Sequence, residues 1–438
     1  MHLKIKDKNL FELLKGSSIS LVFKLFSMGL GYMSMLFITN VYGAEEWGVY
    51  SLCLTLLSIF TLLPKFGYDN SLVRIIAEVK AYYSKKALVD LVVKAFLFSC
   101  ALTVLVVVII AFSSNYLIDE LIKNNELKQL LWPISLSIIP SVVLTIVGAV
   151  YQAFKKPWLF IVFQTGLINL TFMLFLLLDY YLGFGKQTFV IYSWAVFLSS
   201  VISAVALFML LTKYKSEGQE RKEKKHYSLH NLTTLSFPML LSSSFALLMG
   251  WSDILMLSFY KSSFDIGIYN STLRLATLST ISLIAINAIA SPKFVEFYTS
   301  SDMDGLKKVV KQSTKLVFFT SAPILLILMV FSKQILSLFG EEFAVGYWAL
   351  IFLCLSRFVN AISGSVGYIM QMTDQQKVYQ RVILLAFIIN LTLNFILIPR
   401  YSFTGAAIAS SIAMIFWNLT LVIIIKKKLG FWTIFLLK

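Results

Sequence analysis

Twelve apolar runs follow one another along the 438 residues, separated for the most part by short polar connections. They cover residues 18–39, 46–77, 85–113, 128–153, 157–182, 188–212, 231–259, 266–292, 313–339, 345–371, 378–398 and 403–425. Each is at least about 20 residues long, the length a helix needs to cross a bilayer core. Lipid offers no water to complete backbone hydrogen bonds, so runs of this kind cross as helices. Composition agrees, since charged residues are 14% of the chain where a soluble protein carries about a quarter. The expected fold class is an all-α polytopic membrane protein with about twelve transmembrane helices.

The net charge of +16 would suit a nucleic-acid binder, but the basic residues lie between apolar runs and form no patch. Membrane proteins gather such residues in their cytoplasmic loops. Of the 38 lysines and arginines, 26 fall on the side of the N-terminus, six on the other side and six inside the spans. Both termini are therefore expected in the cytoplasm, and no nucleic acid is expected as a partner. The basic, amphipathic residues 1–17 suit the inner membrane surface. No signal peptide is expected, because the first run is too long for one and has no small-residue cleavage site.

The chain also repeats. Gly48-Val49-Tyr50-Ser51 returns as Gly267-Ile268-Tyr269-Asn270, and both copies open the second span of a six-span half. Halves with an even number of spans form parallel repeats about an axis along the membrane normal. The expected organisation is an N-terminal lobe at 18–212, a cytoplasmic linker at 213–230, a C-terminal lobe at 231–425 and an interfacial tail at 426–438. Leu429 to Leu437 is too short to span, and Trp432 there suits headgroup depth.

Function is expected where charge enters the spans. Lys24, Lys65, Arg74, Lys94, Arg274 and Arg357 lie inside them, facing few acids, chiefly Asp69 and Asp253. A charge at a helix centre costs roughly 2.5–3.5 kcal/mol on insertion scales, so it persists by pairing, snorkelling or lining a wet cavity. Lys65 and Asp69 are four apart, which on one helix face permits a pair, and Pro64 is expected to bend that helix. Asp253 and Arg274 flank a short outer loop at similar depth and are expected to be close enough to pair. Arg357, near the middle of its span, is either a ligand for an anion or a partner of carbonyls at a broken helix. Lys24, Lys94 and Arg74 either reach the inner headgroups or join the cavity. Excess positive charge in a cavity suits an anionic solute.

Enzyme signatures are lacking. His2, His226 and His230 all lie in cytoplasmic segments, and Cys53, Cys100 and Cys354 sit in apolar runs without metal-ligand spacing. GFGKQT at Gly183 to Thr188 lacks phosphate-loop spacing. No cofactor, metal or catalytic residue is expected.

Five stretches carry a resemblance: FGYDNSLVRIIAE (Phe66 to Glu78), SDILMLSFYKSSFDIGIYNSTLRLATL (Ser252 to Leu278), SPKFVEFY (Ser291 to Tyr298), LFGEEFAVGYWAL (Leu338 to Leu350) and NFILIPRYSFTGAAIASSIA (Asn394 to Ala413). In order and spacing the chain resembles the Wzx-type polysaccharide and O-antigen flippases of the multidrug/oligosaccharidyl-lipid/polysaccharide (MOP) exporter superfamily. One departure is visible: the family's turn after LIPRY carries glycine, and this chain has Ser402-Phe403.

The resemblance implies two six-helix lobes around a cleft, in the bacterial cytoplasmic membrane. It implies a substrate, an undecaprenyl-pyrophosphate-linked oligosaccharide of O-antigen, capsule or exopolysaccharide, moved from the inner to the outer leaflet. Lys65, Arg74, Arg274, Arg357 and Lys24 are the candidates to hold its anion, and Asp69 and Asp253 to orient them or accept a coupling proton. Expected partners are membrane lipids, the polysaccharide polymerase and chain-length machinery, and H+ or Na+. Two alternatives differ in kind. A multidrug antiporter of the same superfamily exports cations and calls for an acidic cavity; a glycan polymerase or glycosyltransferase calls for a larger outer loop than residues 114–127 provide.

Overall fold

The computed structural model describes residues 8–82, 85–116, 126–154, 156–183, 185, 187–213 and 229–435. The expected linker and the outer loop lie largely outside these residues, as do residues 1–7 and 436–438 and the side chain of Asp69. Every described element is helical. They are α1 (Lys8–Lys65), α2 (Tyr68–Tyr82), α3 (Lys85–Tyr116), α4 (Glu126–Ala153), α5 (Pro157–Ile161), a π turn (Val162–Gly166), α6 (Leu167–Leu182) and α7 (Thr188–Lys213). There follow α8 (Leu229–Tyr260), α9 (Ser263–Thr277), α10 (Thr280–Thr299), α11 (Met303–Val330), α12 (Ser332–Ser337), a 3-10 turn (Glu341–Gly346), α13 (Tyr347–Ser363), α14 (Val366–Met372) and α15 (Gln376–Leu429). Among the described residues, eight helices are long and apolar enough to cross a membrane. Each of the twelve apolar runs is helical. Two pairs of runs are merged, in α1 and α15.

Both merged helices break where the backbone leaves helical geometry. In α1 the break is Gly43, at φ 82° and ψ −179°, a conformation that glycine reaches without a Cβ clash. The amide of Ala44, freed by the break, donates to Glu342 Oε1 at 2.6 Å, so a carboxylate caps the new helix start. In α15 the break is Ser402, at φ 50° and ψ −134°. A serine thus holds a positive φ, a conformation that glycine reaches more easily. Its hydroxyl bonds to Asp265, which also closes a capping box with Ser262 at the start of α9.

One expectation fails here. Lys65 and Asp69 do not share a helix face, because α1 ends at Lys65 and the chain turns through Phe66 (φ 47°) and Gly67 (φ 72°) before α2 begins. Pro64 stands one residue before this break. Gly67 presses on α8, where a Cβ would lie 2.8 Å from the Ser236 carbonyl oxygen. Close by, Ser236 and Ser71 share a buried hydroxyl bond of 2.7 Å.

The chain packs as two compact units, Met1–Ile38 with Cys53–Ser244, and Thr39–Leu52 with Phe245–Lys438. Their borders differ from the expected lobe borders, since the start of the second span packs with the second unit. The first unit has a core of Tyr68, Leu72, Ile75 and Ile76 against Leu88, Leu91, Val142, Ile146 and Val150. The second joins Phe294, Leu306, Val310, Ile369, Met370, Val422 and Ile425. Here the C-terminal residues are docked: the Phe435 amide donates to the Ile362 carbonyl at 3.0 Å and its ring stacks on Phe318.

Candidate functional site

In the second unit α8, α9 and α15 converge on one carboxylate. Asp253 is 2% exposed and lies in the last third of an apolar helix, two turns before its end. Burying a charge there is costly unless donors surround it. Four do. Tyr269 and Ser410 hydroxyls donate to Oδ2 at 2.5 Å each, and the Asn390 and Asn394 amides donate to Oδ1 at 3.1 and 2.6 Å. Ser252 holds Asn390 in turn, at 3.0 Å from its Oδ1. All these donors are neutral, and no cation pairs with Asp253 among the described residues. The expected pairing of Asp253 with Arg274 is not made.

Arg274 is held elsewhere. Its Nε donates to Asn270 Oδ1 at 3.0 Å, one turn earlier on α9, and its guanidinium carbon lies 4.7 Å from the centre of the Trp47 ring. Trp47 is buried, so the cation–π contact is shielded from solvent.

Arg357 is different again. It is half-buried on α13, and its guanidinium makes no hydrogen bond or ion pair with any described residue. Its electrostatic neighbours are Cys354, one turn earlier on α13, and Tyr269, the phenol that bonds Asp253. A guanidinium carries five donors in a planar fork, and here they are left for a ligand or water.

The first unit carries the other intramembrane cations. Lys65, at the end of α1, lines an open pocket of about 150 Å³ between α1, α4 and the π turn. Lys24 on α1 and Arg74 on α2 are exposed. Lys94 pairs with Asp90 at 2.6 Å, one turn back along α3. Of the seven site residues expected from sequence, Asp253 and Arg357 share a neighbour in Tyr269, and Arg274 lies on the same helix as that tyrosine.

Sequence reasoning passed over the groups that surround Asp253. Asn390 and Asn394, four apart in an otherwise apolar run, were the available signal. Tyr269, inside the repeated motif, was another.

Residues 13–298 match the model of the family described as polysaccharide biosynthesis protein, and residues 238–396 match the MatE model. A probable low-salt glycan biosynthesis flippase, Agl15 of Haloferax volcanii, is 22% identical over 210 residues, covering 48% of this chain and only 44% of that protein. Lsg locus putative protein 1 of Haemophilus influenzae is 25% identical over 78% of this chain and 80% of its own. Among solved structures, the lipid II flippase MurJ in an inward closed conformation superposes with a TM-score of 0.75 at 16% identity, covering 92% of this chain and 87% of its own. An inward-facing multidrug resistance MATE transporter of the MOP superfamily gives 0.74 at 12% identity, over 94% and 98%. These likenesses establish a transporter fold. By its sequence over residues 13–298, the chain belongs to the polysaccharide biosynthesis protein family.

Proposed function

We propose that this protein is a flippase for an oligosaccharide carried on undecaprenyl pyrophosphate, moving it from the inner to the outer leaflet of a bacterial cytoplasmic membrane, with both termini cytoplasmic. The observation that carries the reading is Arg357, a half-buried guanidinium in a membrane span with no ion-pair or hydrogen-bond partner among the described residues. A pyrophosphate accepts such a fork bidentately. Lys65, Arg74, Arg274 and Lys24 are proposed to meet the anion at other stages of its passage. With the interior negative, each negative charge moved outward gains about 2.3 kcal/mol per 100 mV, which drives export without ATP. The family supports a glycan cargo; O-antigen, capsule and exopolysaccharide units fit the chemistry equally.

Asp253 is proposed as the coupling carboxylate, binding H+ or Na+ and sensed by Arg357 through Tyr269. Asp69 is proposed as an orienting acid. The polymerase and chain-length machinery are proposed to receive the product. Deleting the gene tests the flippase: lipid-linked oligosaccharide should accumulate on the cytoplasmic leaflet, and an unchanged leaflet distribution defeats the reading. One observation favours a second reading, a cation-coupled multidrug antiporter, because the MatE match includes buried Asp253. Drug resistance that depends on Asp253, with normal surface glycan after deletion, would select it.

A further inference from the structure

One exposed face of α11 changes character within a single turn. At helical spacing it reads Lys308, Lys311 and Lys315 and then Phe319, Leu326 and Val330, all of them exposed. Lys307 stands beside the first three, one turn before Lys311. None of the four ammonium groups makes a hydrogen bond or ion pair with any described residue. Asp304 lies one turn before Lys308 and does not pair with it, while Asp302 is occupied at the helix start, accepting from the Gly305 amide at 2.8 Å. Lys315 rests over the Phe319 ring, 5.9 Å from its centre.

A membrane protein is oriented by how many cations its loops carry, wherever on a helix they stand. Here they are stacked. Lys307 with Lys311, and Lys311 with Lys315, are like-charge pairs four apart, an arrangement that weakens a helix unless an anion meets it. Orientation alone gives no reason for that arrangement. Beyond the lysines the same face becomes an apolar track, widened by exposed Leu316 and Ile327. From Lys315 to Val330 the helix rises about 22 Å, more than the roughly 15 Å of hydrocarbon in one leaflet. The docked Phe435 ring meets Phe319 edge-on at 5.4 Å, bordering the track where charge gives way to apolar surface.

We propose that this face of α11 binds one anionic phospholipid of the adjoining leaflet, its phosphate between Lys311 and Lys315 and an acyl chain along Phe319 and Leu326. The assignment stands apart from the identity of the cargo. A zwitterionic lipid fits the track but brings its own ammonium group to the lysines. Free phosphate meets the lysines and leaves the track bare. A polyprenyl diphosphate has both parts, yet exposed ammonium groups are hydrated point charges without a shaped fork. Such contacts suit an abundant lipid better than a scarce one that must be picked out.

The test titrates the purified full chain in detergent with phosphatidylglycerol and with phosphatidylethanolamine of the same acyl chains, counting bound lipid by native mass spectrometry. Phosphatidylglycerol should bind roughly tenfold or more tightly, as about two surface lysines imply. Lys311→Gln with Lys315→Gln should erase the preference, and Lys311→Arg with Lys315→Arg should keep it. An equal loss of charge on α15, Lys377→Gln with Arg381→Gln, should leave the preference within about twofold. All these side chains are exposed, so thermal unfolding should stay close to wild type. Equal binding of the two lipids, a preference that survives the glutamine pair, or one lost as readily in the α15 pair each overturns the proposal. Displacement by inorganic phosphate would reduce the face to a counter-ion site, and displacement by equimolar undecaprenyl diphosphate would give it to the cargo; either outcome also overturns the proposal. The flippase reading is judged separately, by leaflet accumulation after gene deletion.

Discussion

Gly48 and Gly267 cross backbone to backbone. A Cβ on Gly48 would lie 1.7 Å from the Ser263 carbonyl oxygen and 3.0 Å from the Gly267 nitrogen; one on Gly267 would lie 2.1 Å from the Ala44 carbonyl oxygen. These are the two glycines of the repeated motif, so the repeat marks the point where its own copies touch. Small residues at such crossings let helices approach closely in a membrane.

Gly267→Ala should therefore destabilise the protein by about 1–3 kcal/mol, the usual range for overpacking. Gly29, with no atom within 4 Å of its would-be Cβ, provides the opposite case. Gly29→Ala should be neutral or stabilising by up to about 1 kcal/mol, because alanine favours the helix. Thermal unfolding in detergent separates the two signs.

Removing the guanidinium of Arg357 tests the anion site. Arg357→Ala should reduce surface glycan at least about tenfold while the protein still inserts and accumulates, since no described residue loses a bond. Arg357→Lys should fall between, because an ammonium keeps the charge but not the fork. Normal glycan display in the alanine variant would make Arg357 structural.

Asp253 invites a paired comparison. Asp253→Asn preserves shape and much of the hydrogen bonding, so it should fold, yet it should abolish any response of vesicle transport to imposed proton or sodium gradients. Asp253→Leu leaves the donors of Tyr269, Ser410, Asn390 and Asn394 unmet, at about 1–3 kcal/mol for each that finds no substitute. It should fail to accumulate. A gradient response that survives Asp253→Asn excludes this carboxylate from coupling.

Ser402 holds a left-handed conformation and a bond to Asp265 together. Ser402→Ala keeps the strain and loses the bond, and should cost about 1 kcal/mol. Ser402→Gly loses the bond but relieves a strain of about 1–3 kcal/mol, offset by the greater freedom of unfolded glycine. It should match or exceed the wild type in thermal unfolding. The order glycine, serine, alanine is the expected ranking.

The Lys94–Asp90 pair is partly exposed on α3, with side chains 30% and 38% accessible. Such pairs contribute about 0–1 kcal/mol. Lys94→Gln should leave accumulation and surface glycan within twofold of wild type by immunoblot and glycan staining.

The twelve helical runs, the all-α class and the break between the last two runs were legible in the chain itself. Crossing a bilayer is a local demand, met by consecutive apolar residues, and backbone turns leave local marks. The intramembrane charges were legible as a set for the same reason: each is conspicuous against its own run. Which of them meet was not. Asn390, Asn394 and Ser410 reach Asp253 from 137, 141 and 157 positions away. Those outcomes depend on how helices rotate and close upon one another, because a hydrogen bond is lost with a shift of an ångström while the apolar transfer that positions a helix hardly registers it. Sequence alone determined that this chain lives in a membrane with charge inside it; only the packing decided that Asp253 is enclosed by neutral donors and that the Arg357 guanidinium is left without a protein partner among the described residues.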